Sequence, residues 1–205
     1  MCARYEKFHT GNFPARIYCQ QELAFHAAQY GDWSEAAKHS ALLVRHLPND
    51  RDADVQIARG YALLYRQDYD TALPVLYTAL EQLPTLEVPA WWGEVLAANA
   101  HLAIGVGELA RGNPQVAVRV LEQALPVYER RSETHPHPGY ARRLAWSWSA
   151  LARAMLASHP ANTVRSHQRA CELLLLAERW YREAGEDYQW SVLELARWAQ
   201  DCHEK

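Results

Sequence analysis

The chain has 205 residues, of which 49% are hydrophobic and 22% charged, a composition typical of globular proteins and not of disordered tails. Its formal net charge of -3 excludes a broad positive field that would attract nucleic acid or an anionic membrane. No window approaches the roughly 18 apolar residues of a membrane span, and the first residues lack the apolar core of a signal peptide. We therefore expect a soluble, cytoplasmic protein that binds neither nucleic acid nor membrane.

The four cysteines, Cys2, Cys19, Cys171 and Cys202, lie far apart in the sequence and form no zinc-binding spacing. In a cytoplasmic protein this pattern predicts reduced, mostly buried thiols. A disulfide framework is the alternative.

The first part of the chain predicts an irregular arm followed by two helices. Residues 1–16 show no sustained period, so we expect an N-terminal arm without regular structure. Apolar and small residues then recur every three or four positions over 17–30 and over 33–46, which predicts a helix in each range. Gly31 separates the two helices, and Pro48 ends the second.

A second pair of helices is predicted over residues 53–66 and 69–83. Pro74 lies one turn into the latter helix, where we expect its missing N–H to cost little because the donors of the first turn lack intrahelical partners. Pro84 ends it.

A third pair is predicted over residues 89–110 and 114–131. Gly105 and Gly107 fall inside the first of these helices, where glycine is unfavourable, so we expect a close helix crossing at that point. Pro126 lies near the end of the second helix and is expected to bend it or end its regular hydrogen bonding.

The last part of the chain predicts a loop, a fourth pair and one further helix. The loop covers residues 132–139, the pair covers 140–157 and 163–184, and an amphipathic helix follows over 187–203.

A segment of the first pair recurs in the second pair at a fixed distance of 36 residues. The aligned residues are Asp32 with Asp68, Trp33 with Tyr69, Ala36 with Ala72, Leu47 with Leu83, and Pro48 with Pro84. A fixed period of this length indicates an array of structural repeats.

The second helix of every pair carries the same pattern of a small residue, a core residue four positions later and a small or apolar residue three positions after that. The four sets are Ala36, Ser40 and Leu43; Ala72, Leu76 and Ala79; Ala117, Leu121 and Ala124; and Ala170, Leu174 and Ala177. Their outer members lie two helical turns apart, so each set lines one seam of its helix. The first helices provide a small residue for the crossing within Leu23-Ala24, Arg59-Gly60, Ile104-Gly105 and Leu151-Ala152.

These patterns resemble the tetratricopeptide repeat (TPR) family, with its W-x-x-L-G-x-x-Y, A-x-x-x-F and P positions, over residues 17–184. The resemblance implies an all-α, right-handed superhelical solenoid of about four helical hairpins. The implied divisions are an arm at 1–16, repeats at 17–50, 53–86, 89–131 and 139–184, and a capping helix at 187–203. Two residues depart from the family pattern, since Arg59 occupies a usual Leu position and Glu108 a usual aromatic position.

In this family the first helices line a concave groove, which implies a set of partner-binding positions. They are Tyr18, Gln21, Phe25, Asp54, Ile57, Tyr61, Tyr65, Asn99, Leu102, Val106, Trp146, Ser149 and Arg153. This lining is mainly aromatic and apolar, which suits an amphipathic helix or an extended peptide and does not suit a clamp for a terminal carboxylate. Alternatively the groove is filled by its own aromatics, by the N-terminal arm or by a second copy of the chain.

Catalytic and metal-binding patterns are weak. His135 and His137 flank a proline in the predicted loop without a third ligand nearby, so a solvated turn is the simpler interpretation. The sequence has no nucleophile elbow, zinc-protease motif or phosphate-binding loop, and we expect no catalytic residue, metal or cofactor. The basic residues Arg130, Arg131, Arg142 and Arg143 bracket the loop and form either a patch for an acidic partner or two solvated helix ends.

These features predict a non-catalytic protein-interaction module, acting as an adaptor, scaffold or chaperone in a bacterial cytoplasm, with a protein or peptide as its partner. The alternative is a regulatory domain that senses a ligand or peptide and controls another protein. The last helix carries Trp190 and Trp198, which either cap the repeats or contribute to a homo-oligomer contact.

Overall fold

The computed structural model describes residues 23–24, 27, 32–46, 53–85, 87–158 and 164–203. Within these ranges the chain is all-α, with eight α-helices, two short 3-10 helices and no strand. The predicted arm, most of the first predicted helix and the turn between the last pair lie outside the described residues. The same holds for Tyr18, Gln21, Phe25, Cys2 and Cys19.

The helices follow the predicted ranges closely. They are α1 (Trp33–His46), α2 (Ala53–Tyr65), α3 (Tyr69–Gln82), α4 (Ala90–Ala110), α5 (Pro114–Thr134), α6 (Pro138–Ala157), α7 (Val164–Ala184) and α8 (Gln189–His203). The 3-10 helices are Leu83–Thr85 and Glu186–Tyr188. The chain divides into two compact units, Met1–Gln82 and Leu83–Lys205.

The aspartates at the start of the duplicated segment cap their helices. Asp32 Oδ1 accepts a hydrogen bond from the backbone N–H of Glu35 at 3.0 Å, and Asp68 Oδ1 accepts one from Thr71 at 3.3 Å. A side-chain oxygen at this position satisfies a backbone donor that has no partner inside the helix. The repeated Asp therefore fixes where α1 and α3 begin.

The predicted seams form the packed interior of both units. All twelve residues of the four sets on α1, α3, α5 and α7 are at most 1% exposed. In the first unit, α1 packs on α2 around Leu43, Val55, Ala58 and Ala62. Within the second unit, α4 packs on α5, α5 on α6, α6 on α7 and α7 on α8. The hairpin prediction is confirmed in the described part of the chain.

Two glycines set the distance between the helices of a hairpin. A Cβ atom built on Gly60 of α2 would overlap the side chain of Leu76 on α3, and one built on Gly105 of α4 would overlap Leu121 on α5. Leu76 and Leu121 are fully buried, so neither can move aside into solvent. The close crossing predicted at Gly105 is confirmed, and the same device recurs at Gly60.

Pro126 does not end α5, which continues through it as far as Thr134, and the predicted bend at this residue stays a prediction. A proline in a helix leaves the carbonyl four residues earlier without its usual donor. Here that carbonyl belongs to Glu122, and both Glu122 and Pro126 are exposed, so water can replace the lost partner. The predicted loop is correspondingly short, with only residues 135–137 between α5 and α6.

The departure at Glu108 has a structural explanation. Glu108 is 7% exposed near the end of α4, and its Oε2 accepts a hydrogen bond of 2.8 Å from Asn113 Nδ2 in the turn before α5. The backbone N–H of Asn113 also donates to the carbonyl of Glu108 at 2.9 Å. At this position a polar contact to the turn replaces the aromatic ring that is usual in the tetratricopeptide repeat family. The described chain has a TPR-like helical-repeat fold.

Candidate interaction surface

The described groove positions of the first unit, Asp54, Ile57, Tyr61 and Tyr65, are largely buried. Ile57, Tyr61 and Tyr65 on α2 are at most 4% exposed, and the rings of the two tyrosines lie 6.2 Å apart. Asp54 is half-buried at the start of the helix, where its Oδ1 accepts a hydrogen bond of 2.8 Å from the backbone N–H of Val55. Only Asp54 of this group is accessible to a partner in this conformation.

In the second unit, the positions on α4 differ from one another. Leu102 is fully buried. Asn99 is half-buried, and its Oδ1 accepts a hydrogen bond of 2.7 Å from the hydroxyl of Tyr128, a fully buried residue of α5. Val106 is half-buried. The amide of Asn99 therefore holds the hairpin together, while Val106 is the accessible apolar position.

On α6 the predicted positions face other parts of the protein. Trp146 is 7% exposed and Ser149 4% exposed. Arg153 Nη1 donates a hydrogen bond of 2.7 Å to Glu194 Oε1 of α8, an ion pair whose side chains are 18% and 31% exposed. The last helix therefore already occupies the charged position of this face.

These placements correct the predicted character of the groove. Six of its described side chains are buried and cannot meet a partner in this conformation: Ile57, Tyr61, Tyr65, Leu102, Trp146 and Ser149. The described groove positions that are half-buried are Asp54, Asn99, Val106 and Arg153, so the accessible part of the described lining is mostly polar. Helical spacing selects one face of each first helix but does not show how much of it neighbouring helices cover. We call the half-buried positions on α4 and α6, Asn99, Val106 and Arg153, the inner face; its use in binding stays a prediction.

A buried tyrosine lies next to the ion pair of Arg153. Burial raises the pKa of Tyr181 on α7 well above its usual value of 10, an effect that contact with Ser149 and the nearby charge of Arg153 only partly offset. The phenol therefore stays neutral at physiological pH. On α4, burial lowers the pKa of His101 below its usual value of 6.5, so this side chain is also mainly neutral at pH 7.

The four arginines of the predicted basic patch are engaged with neighbouring groups. Arg130 pairs with Glu94 of α4 at 2.7 Å. Arg131 lies 5.3 Å from the ring centre of Trp91, and its Nη2 donates to the Trp91 carbonyl at 3.3 Å. Arg142 and Arg143, on α6, are half-buried. Arg130 and Arg131 thus attach α5 to α4, and an anion-binding role for the patch stays a prediction.

The two loop histidines have local structural roles. His137 Nδ1 accepts a hydrogen bond of 3.1 Å from the backbone N–H of Gly139 and so caps α6, while His135 Nδ1 lies 2.9 Å from Thr134 Oγ1. Among the described residues, no group of three or more His, Cys, Asp or Glu side chains is arranged to hold a metal ion. The solvated-turn interpretation fits both contacts.

The prediction of reduced thiols is wrong for Cys171 and Cys202. These residues form a disulfide between α7 and α8, with their Cα atoms 5.6 Å apart. The two cysteines are 31 residues apart in sequence, and only the packing of α8 on α7 brings them together. No local spacing in the sequence indicates such a pairing.

Several exposed apolar side chains were not predicted as surface residues. Leu175 and Leu176 on α7 are 51% and 45% exposed, and Leu193 on α8 is 59% exposed. The sequence did carry a signal for the first two, because four consecutive leucines, residues 173–176, cannot all face one side of a helix. The buried seam includes Leu173 and Leu174, so the next two leucines point elsewhere.

Comparisons with known proteins do not extend the assignment of the fold. No protein-family model matches the sequence, and no curated protein matches it. Among solved structures, a kinesin light chain from Podosopora anserina with nearly identical TPR-like repeats is 20% identical, with a TM-score of 0.41 over 95% of this chain and 100% of that chain. A single-substitution variant of the same protein gives 22% identity and a TM-score of 0.40 over 94% and 96% of the two chains. The assignment of the fold rests on the seams and glycine crossings described above.

In the described part of the chain, no helix has both the length and the apolar character required to cross a membrane.

Proposed function

We propose that this protein is a non-catalytic protein-interaction module that binds a helix or an extended peptide of a partner protein at the inner face of its second unit. The observation that supports this most directly is the repeated hairpin. In the second unit the seams pack α4 against α5 and α6 against α7, Gly105 allows the first of these pairs to approach closely, and α4 and α6 also pack against each other. A rigid pair of neighbouring helices with accessible side chains is a surface that a partner can bind at low entropic cost.

The chemistry of the inner face indicates the kind of partner. Val106 offers an apolar contact, and Arg153 offers a guanidinium that now binds a carboxylate on a helix, that of Glu194. A partner that displaces Glu194 from Arg153 and also contacts Val106 would need an acidic residue for the first contact and an apolar residue for the second. We assign the protein an adaptor, scaffold or chaperone role, in a bacterial cytoplasm.

The proposal is tested by capturing partners from native lysate with the full chain carrying either Val106→Lys or Leu176→Lys. Each substitution replaces an apolar side chain with a charged one, but only Val106 lies on the inner face. We expect Val106→Lys to abolish retention of the partner and Leu176→Lys to leave it unchanged, with melting temperatures showing that both variants fold. Loss of the partner with Leu176→Lys alone would contradict binding at the inner face.

A second candidate, a regulatory domain that responds to a ligand, is favoured by the contact between Arg153 and α8, since a ligand could compete for it. This candidate predicts that a small molecule from a protein-free extract raises the melting temperature of the chain.

A further inference from the structure

We infer that the Cys171–Cys202 disulfide is a redox switch that controls access to Arg153. While the bond is intact, α8 is held against α7 and its Glu194 occupies Arg153; when a dithiol reductant cleaves the bond, α8 detaches and uncovers the guanidinium. The inference deepens the proposed function and rests on it only for the consequence of uncovering Arg153. The detachment of α8 on reduction does not depend on the proposed function and can be tested without a partner.

The buried side of α8 is narrow over the side chains that the structure describes. The buried ones among them are Ser191, Leu195 and Ala199, a single stripe with a spacing of four residues in which only Leu195 is large and apolar. Leu193 is 59% exposed on the same helix. A helix of 15 residues has marginal stability alone, so α8 depends on this stripe and on its covalent attachment.

The start of α8 is joined to α7 through Gly185, which we take as the pivot of the proposed movement. Gly185 has φ 105° and ψ -170°, a combination essentially restricted to glycine. An open cleft of about 370 Å³ lies at this junction, lined by Tyr181, Arg182, Gly185, Glu186, Gln189 and Val192. The contact between the two helices is therefore incomplete near the pivot, and the disulfide fastens the opposite end of α8.

The cysteines of the disulfide are not enclosed in the core, since Cys171 and Cys202 are both half-buried. His167 Nε2, one turn before Cys171 on α7, lies 3.6 Å from the Cys171 sulfur, and in the Nε2-protonated tautomer the ring donates to it. A donor at this sulfur stabilises a thiolate there, so Cys171 is the better leaving group and Cys202 the site of attack.

The reduction is an ordinary thiol–disulfide exchange. A thiolate of the dithiol attacks Cys202 Sγ, the bond to Cys171 Sγ breaks, and Cys171 leaves as a thiolate beside His167. The second thiol of the reductant then attacks the mixed disulfide and releases Cys202, so that the protein gains two electrons and two protons and the dithiol becomes a disulfide. In a reducing cytoplasm a disulfide is usually transient and serves redox sensing, which agrees with this use of the bond.

Hydrogen-exchange mass spectrometry on the full chain, before and after complete reduction with dithiothreitol, tests the switch. Alkylation of both thiols verifies that reduction is complete. We expect the amides of α8 to exchange at least about tenfold faster after reduction, while those of α4 are unchanged. The Cys171→Ser, Cys202→Ser double variant should show the fast exchange without reductant and no further response. Unchanged protection of α8, or loss of protection in α4 as well, would overturn the local release.

The role of His167 has its own measurement, the rate of reduction by dithiothreitol. His167→Ala, which removes the donor, should lower this rate roughly three- to tenfold, while the neighbouring Gln168→Ala should leave it unchanged. Equal rates for His167→Ala and the unmodified chain would remove His167 from the mechanism.

Partner capture in both redox states separates the inference from the proposed function. Retention through the inner face only after reduction supports both. Equal retention in both states, with α8 released on reduction, would leave the proposed function intact and overturn control of access by α8. Release of α8 without any partner in either state would count against the proposed function alone.

Discussion

At the scale of single residues, the absence of one methyl group determines how closely the helices of a hairpin approach. Gly60 and Gly105 occupy equivalent positions in α2 and α4, and each faces a fully buried leucine on the second helix. The sequence predicted these crossings because glycine inside a helix needs a compensating reason. It could not predict which groups would cover the large side chains nearby, such as Tyr61 and Trp146, because their burial depends on several helices at once.

We expect Gly60→Ala and Gly105→Ala each to lower the free energy of unfolding by about 1–3 kcal/mol, because the added methyl group overlaps a leucine that has no free space around it. Gly93→Ala is the matched control within α4. Its Cβ would lie 3.8 Å from the nearest atom of Val88, an ordinary contact, so its effect should be neutral or stabilising by up to about 1 kcal/mol. Urea unfolding of the three variants measures the difference. Equal effects of Gly93→Ala and Gly105→Ala would argue against the close crossing.

At the scale of elements, helix positions follow from the sequence better than helix contacts do. The repeated Asp marks where α1 and α3 begin, and the small-residue seams show which side α1, α3, α5 and α7 bury, since both signals are local. The disulfide to α8 and the pairing of Arg153 with Glu194 join residues 31 and 41 positions apart, and nothing in the spacing indicates them. The helix α5 was predicted to run past Pro126 to residue 131, and it ends three residues later at Thr134.

A double-mutant cycle on Arg153→Ala and Glu194→Ala measures the attachment of α8 to α6. The side chains are 18% and 31% exposed, so we expect a coupling free energy of about 1 kcal/mol in the oxidised protein. The ion pair between Arg169 and Glu122 is the control, because its side chains are 50% and 42% exposed and its coupling should be close to zero. A coupling for Arg153 and Glu194 no larger than that of the control pair would show that this contact does not help to hold α8.

At the scale of the whole molecule, the composition, the charge and the repeats are all consistent with an all-α helical-repeat protein. The TPR-like fold of the described residues follows from the sequence because repeat architectures are made of local units in contact with their neighbours. The binding surface cannot be predicted from the sequence in the same way, because it consists of the side chains that the packed helices leave exposed. The four-leucine run on α7 shows the competing possibility, an apolar surface outside the inner face.

Hydroxyl-radical footprinting of the full chain with its captured partner tests whether the partner binds at the inner face. The rate at which a side chain is oxidised reports how exposed that side chain is. We predict that the partner protects Val106 on the inner face and leaves Leu175 and Leu176 on α7 as reactive as in the free chain. Protection of Leu175 and Leu176 with no change at Val106 would contradict it.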